Sequence, residues 1–134
     1  MFDLTALNWL AVLVATVAGF MLGGLWYGPL FGKAWLKAIG KTEDEIKPSP
    51  GPFIISFFTA LVTSIVLGLL IAGLHIESTG DGAVIGLVTG IGFIATAMAS
   101  DSAFCGWGVN LWLIQSGYRV TYSVIMGAIL AWWQ

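Results

Sequence analysis

The amino-acid sequence predicts an all-α integral membrane protein, an up-down bundle of four transmembrane helices with a short amphipathic surface helix after the first crossing. Of the 134 residues, 58% are apolar and only 9% are charged, whereas soluble domains carry roughly 25% charged residues. The charges are also unevenly placed, and they leave long uncharged runs where a helix needs about 20 apolar residues to cross a bilayer. These runs cover residues 4–32, 48–76, 82–100, 102–118 and 120–134.

Prolines and residue periodicity set the expected helix boundaries. Pro29 removes a backbone donor and clashes with the preceding turn, so the first crossing should end or kink there. Apolar residues at spacings of three and four, with lysines on another face, then predict a surface helix over about 30–39. Pro52 suits the first turn of the second crossing. The predicted crossings are about 8–28, 52–74, 83–100 and 112–133, within one domain of residues 1–134.

Basic residues set the expected orientation. Every lysine lies between the first and second crossings, Arg119 is nearest the same side, and the opposite side has no Lys or Arg. The positive-inside rule therefore predicts a cytoplasmic lysine loop and both termini outside. The interfacial anchors expected on the lysine side are Trp26, Tyr27, Lys33, Trp35 and Lys37.

Small residues spaced four apart recur on every predicted crossing. This spacing lets a neighbouring backbone approach closely, so that dispersion and weak polar contacts hold helices together in lipid. The first crossing carries two such rows, which leaves two alternatives open: internal packing alone, or an additional face for self-association or a partner helix. The predicted packing positions are Gly19, Gly23, Gly24, Gly28, Ser64, Gly68, Gly86, Gly90 and Gly127.

Arg119 is the one ionisable side chain expected inside a crossing. A charge there costs at least a few kcal/mol unless it snorkels or is paired, and Asp101 is the expected partner. A structural anchor is favoured, with a site for an anion or a lipid phosphate as the alternative. The candidate functional polar residues are Arg119, Asp101, Asn8 and Asn110.

The sequence predicts no catalytic residue, no cofactor and no metal ion. A formal charge of −2 without a concentrated basic face gives no reason to expect nucleic acid. Cys105 is the only cysteine and cannot form an internal disulfide. Because no nucleophile–base pair and no paired carboxylates occur at catalytic spacing, a non-enzymatic role is expected.

Several sequence blocks resemble the family of small bacterial membrane proteins catalogued as domain of unknown function 1761. The blocks are Asn8-Trp9-Leu10, the segment from Trp26 to Trp35, Gly117-Tyr118, and Met126 to Leu130 with Trp132. The resemblance implies a four-crossing protein of the bacterial inner membrane. It implies no reaction, ligand or catalytic residue.

The sequence contains many packing positions and few side chains able to carry out chemistry. It therefore predicts a scaffold or accessory subunit that contacts membrane lipid. It would associate with itself as a homo-oligomer or with a larger membrane complex. The alternative is a small oligomeric channel or carrier for an ion or small solute. Such a channel would use Arg119 and a row of hydroxyls, although hydroxyls in membrane helices more often bond to neighbouring helices or to their own backbone. The hydroxyls are those of Ser56, Thr59, Thr63, Thr89 and Thr96. A further alternative is a lipid- or pigment-binding membrane protein.

Overall fold

The computed structural model describes residues 2–134, which form five helices joined by short links. The all-α prediction is confirmed. Three of the helices, the first, third and fourth, are long and apolar enough to cross a membrane. The five helices are α1 Trp9–Leu30, α2 Gly32–Ile39, α3 Pro50–Gly73, α4 Thr79–Cys105 and α5 Val109–Trp132.

The last turn of α1 widens into a π-helical segment, Trp26–Leu30, with Pro29 inside it. The backbone N–H of Phe31 donates to the Trp26 carbonyl at 2.8 Å, which closes this wide turn. α1 therefore passes through Pro29 and ends at Leu30, two residues beyond the predicted boundary. The amphipathic helix α2 follows at once and ends at Gly40, whose φ of 71° only glycine adopts readily.

α4 is longer than the predicted third crossing at both ends. Ser78 caps its start, because the serine side chain accepts a hydrogen bond from the Asp81 backbone N–H at 3.0 Å. The helix then runs through a π-helical segment, Gly90–Ala95, and ends at Gly106, which has a φ of 68°. The polar links predicted on either side of this crossing are correspondingly shorter.

Long helices that follow one another along the chain run antiparallel, so the bundle has two ends. We call the end that holds the α1–α3 link, with its four lysines, the lysine end. The opposite end is the terminal end, where Asn8 Nδ2 donates to the Trp133 carbonyl at 3.3 Å and Gln134 Nε2 donates to the Ile76 carbonyl. Here the hydroxyl and backbone N–H of Thr5 both donate to Asp3, which lowers the pKa of the exposed Asp3 carboxyl.

α5 is the central helix and packs against α1, α3 and α4. With 24 residues it equals α3 in length, yet it is not among the three helices apolar enough to span. Because the other helices surround it, Gln115 and Arg119 can lie on it without full exposure to lipid. Its buried residues are Leu111, Ser116, Tyr118, Tyr122, Ser123, Met126, Gly127, Leu130 and Ala131.

Candidate functional site

The predicted packing residues of α4 lie directly on α5. A Cβ added at Gly86 would meet the carbonyl group of Ser123, so the two backbones touch at this point. A Cβ at Gly90 would lie 3.1 Å from Val120 Cα, and one at Gly127 would meet the Gly82 carbonyl. The α4–α5 contact is therefore backbone against backbone over about two turns.

On α1 and α3 the small residues accommodate larger side chains. A Cβ at Gly19 would meet the end of Met126, and one at Gly23 would lie 3.0 Å from the Tyr118 hydroxyl. Gly68 faces Leu7, with 3.2 Å between its added Cβ and Leu7 Cδ2. Ser64 is buried and its hydroxyl donates to the Val12 carbonyl of α1 at 3.0 Å.

The second glycine row of α1 has no such neighbour. At both Gly24 and Gly28, no atom within residues 2–134 lies within 4 Å of an added Cβ, apart from adjoining residues and the helix's own backbone. The row therefore lies on the outer surface of the bundle.

Arg119 is half-buried on α5, beside two tyrosine rings. Its Cζ atom lies 5.2 Å from the centre of the Tyr118 ring and 5.4 Å from that of Tyr122, within the range of a cation–π contact. Its Nη1 donates to the Tyr122 hydroxyl at 3.2 Å. The partner of Arg119 in the structure is thus Tyr122 and not Asp101, which is exposed on α4.

Tyr118 is at the centre of an aromatic cluster, which we call the tyrosine cluster: Tyr27, Tyr118 and Tyr122. The ring of Tyr118 meets that of Tyr122 edge to face at 5.0 Å and that of Tyr27 at 5.6 Å. The Tyr118 hydroxyl donates to the Gly19 carbonyl at 2.8 Å, and Tyr27 packs against Trp35 of α2 at 5.6 Å. The cluster therefore connects α1, α2 and α5 around Arg119.

Trp26, one of the predicted anchors, and Trp112 both contribute hydrogen bonds inside the bundle. Trp26 Nε1 donates to the Ile114 carbonyl at 2.8 Å, and Trp112 Nε1 donates to the Ala95 carbonyl at 2.9 Å. Ala95 ends the π-helical segment of α4, and Trp26 begins that of α1. Both widened segments are thus tied to α5 by an indole N–H.

The other predicted residues are spread apart. Asn8 caps α1, since its side chain accepts from the Ala11 backbone N–H at 3.2 Å, whereas Asn110 is exposed in the first turn of α5. Lys33 and Lys37 are exposed on α2. Among the predicted anchors, the structure therefore brings Trp26, Tyr27 and Trp35 to the cluster around Arg119.

Most of the hydroxyls that the channel alternative would use bond to their own helix: those of Thr59, Thr63, Thr89 and Thr96. Thr59 donates to the Ser56 carbonyl at 2.9 Å, and Thr63 donates to the Thr59 carbonyl at 2.8 Å. Thr63 also lies 3.3 Å from the Tyr122 hydroxyl, the acceptor for Arg119. Among these hydroxyls, only that of Thr63 therefore reaches the partner of Arg119.

Sequence reasoning missed the tyrosines as partners of Arg119. The signal was present, because Arg119 and Tyr122 are three residues apart on one helix, a spacing at which side chains meet. Tyr118 and Tyr27 also lie in the blocks that carry the family resemblance.

These features define a class: a small all-α protein with three helices long and apolar enough to cross a membrane and an arginine set among tyrosines on its central helix. The chain belongs to the family described as Protein of unknown function (DUF1761), which matches residues 10–131. The predicted family resemblance is therefore confirmed. No curated protein and no solved structure matches the chain.

Proposed function

We propose that the protein is a non-enzymatic, four-crossing subunit of a membrane assembly, which packs against a second copy or a larger complex. In this proposal α5 is the fourth crossing. Its support is geometric: α5 runs antiparallel to α1 from Trp26, near the lysine end, to Asn8 at the terminal end. A helix so enclosed by three apolar helices can be less apolar than they are.

The proposed orientation has the lysine end in the cytoplasm of a bacterium and the termini outside. It rests on the distribution of basic residues, since every lysine belongs to the lysine end. The exposed Lys33 and Lys37 of α2 would then lie among the headgroups of the inner leaflet.

The observation that carries the assembly proposal is the open face of α1. Residues at spacings of three and four form a continuous exposed row along this helix, from Val14 through Val17, Met21 and Gly24 to Gly28. Glycine within a helix is about 1 kcal/mol less favourable than alanine. Two glycines that meet nothing within 4 Å among residues 2–134, beside exposed apolar side chains, form the kind of surface that a second helix approaches closely in lipid.

The test is the mass of the native assembly. The protein would be extracted from its own membranes in mild detergent and measured by native mass spectrometry, as wild type and with Gly24→Leu and Gly28→Leu combined. We expect the wild type to retain a second copy or another subunit, and the double variant to lose it. A matched control is Gly92→Leu, which fills an equally open position on α4 and should leave the assembly intact.

A wild type found only as a single chain without a partner would contradict the assembly. An assembly that survives the double substitution would contradict the assigned face. The channel or carrier alternative predicts ion or solute flux in reconstituted vesicles. The lipid- or pigment-binding alternative predicts a co-purified lipid or an absorption band beyond that of the aromatic residues.

A further inference from the structure

We propose that Arg119 and the Tyr27 hydroxyl form a binding site for a phosphate-bearing anion, either the headgroup of an anionic phospholipid or a free phosphate. The proposal starts from charge. All seven Asp and Glu side chains of the chain are exposed, in links or in the end turns of helices. The half-buried guanidinium of Arg119 thus has no buried carboxylate beside it within residues 2–134.

The guanidinium is held by side chains of its own helix. Its Nη1 donates to the hydroxyl of Tyr122, three residues further along α5, a spacing at which side chains on a helix meet. Arg119 lies about 10 Å beyond Trp112 and about 20 Å before Trp132 along α5, at about 1.5 Å per residue.

The remaining donors of Arg119 are oriented by its neighbours. The Tyr118 and Tyr122 rings lie close to its Cζ atom, and one of its five N–H groups is used on the Tyr122 hydroxyl. Within the described residues no further acceptor is bound to the guanidinium. A phosphate takes two parallel N–H donors from an arginine, which is the arrangement still open here.

Tyr27 supplies a second donor beside the same ring. It is half-buried and its ring contacts Tyr118, as does Arg119, yet its hydroxyl makes no hydrogen bond within residues 2–134. Through Trp35 it also contacts α2, the helix that carries the exposed Lys33 and Lys37. An anion that reaches Arg119 from the lysine end would therefore pass positive charge before it meets the site.

The test is lipid and phosphate binding by the intact protein. In mild detergent, native mass spectrometry would count phosphatidylglycerol or phosphatidylcholine retained by the wild type, Arg119→Gln and the control Lys37→Gln. The control removes one exposed charge of the same sign. We expect one phosphatidylglycerol retained in preference to phosphatidylcholine, with affinity lowered roughly tenfold or more by Arg119→Gln and little by Lys37→Gln.

A parallel titration with inorganic phosphate separates the two sources. Phosphate binding that depends on Arg119, without preference for phosphatidylglycerol, supports the site and identifies the ligand as a free anion. Should Arg119→Gln fail to fold, Arg119→Lys keeps the charge but loses the paired donors, and should lower affinity several-fold. Tyr27→Phe should lower it less than Arg119→Gln does.

The proposal is overturned if the wild type binds neither ligand, or if folded Arg119→Gln or Arg119→Lys binds as the wild type does. It is also overturned if Arg119 is required only to retain a protein partner and not to bind lipid or phosphate. The site and the proposed assembly fail separately, because the assembly depends on Gly24 and Gly28.

Discussion

The α4–α5 contact and the open face of α1 contain the same sequence feature in opposite surroundings. Gly86 and Gly90 are four residues apart, as are Gly24 and Gly28. At Gly86 an added Cβ would meet the backbone of α5, whereas at Gly24 it would meet nothing within 4 Å among the described residues. The spacing therefore indicates that a helix can approach closely, and only the fold decides whether one does.

The α4–α5 contact should be the least tolerant part of the bundle. We expect Gly86→Ala to lower the free energy of unfolding by about 3 kcal/mol, because its methyl group must push two backbones apart. The measurement is unfolding in mixed micelles with increasing SDS, followed by circular dichroism. Gly92→Ala is the matched control, since this glycine of the same helix is open and should be unchanged or up to about 1 kcal/mol more stable. Equal effects at the two positions would contradict the contact.

The next largest loss of stability is expected when the indole hydrogen bond between α4 and α5 is removed. Trp112→Phe removes the donor to the Ala95 carbonyl and also part of the volume of a half-buried ring, and we expect the two losses together to cost about 1–2 kcal/mol in the same assay. Trp107→Phe is the control, because Trp107 is 51% exposed and should change stability by less than about 0.5 kcal/mol. If both variants unfold alike, the hydrogen bond contributes nothing beyond the bulk of the ring.

On the α1 side, the hydrogen bond from Tyr118 to the Gly19 carbonyl should have a smaller effect. Hydrogen bonds between membrane helices average about 0.6 kcal/mol, so Tyr118→Phe should cost about that much. Tyr27→Phe should leave stability unchanged, since the Tyr27 hydroxyl has no partner within residues 2–134. A large loss from Tyr27→Phe would show that its hydroxyl stabilises the fold, and would conflict with its assignment to a ligand.

Sequence patterns predicted those parts of the helices that depend on residues close together in the chain. The apolar and lysine periodicity that ends at Gly40 predicted α2, which begins at Gly32 within the predicted range. The ends of α4 were misplaced because the prediction gave the polar residues around Asp81 and Asp101 more importance than the cap at Ser78 and the stop at Gly106. A short cap can start a helix in a polar segment because it satisfies otherwise unpaired backbone N–H groups.

The arrangement around Arg119 depends on contacts between distant parts of the chain. Trp26 and Ile114 are 88 residues apart, and Tyr118 and Gly19 are 99 apart. No periodicity within one helix gives such pairings. Charge alone suggested Asp101, but a cation can also be stabilised by ring faces and a hydroxyl, and here the helix supplies both from adjacent turns.

The smallest expected effects come from alanine substitutions at Gly23 and Gly24, adjacent residues that belong to the two different glycine rows of α1. Gly23→Ala would bring a methyl group within 3.0 Å of the Tyr118 hydroxyl, and should destabilise by no more than about 1 kcal/mol because that side chain can shift. Gly24→Ala should be neutral or up to about 1 kcal/mol stabilising in the isolated chain, since alanine favours the helix. If Gly24→Ala weakens the native assembly without lowering the stability of the single chain, the open row packs against a partner. An equal loss of stability from both substitutions would mean that Gly24 packs within its own chain.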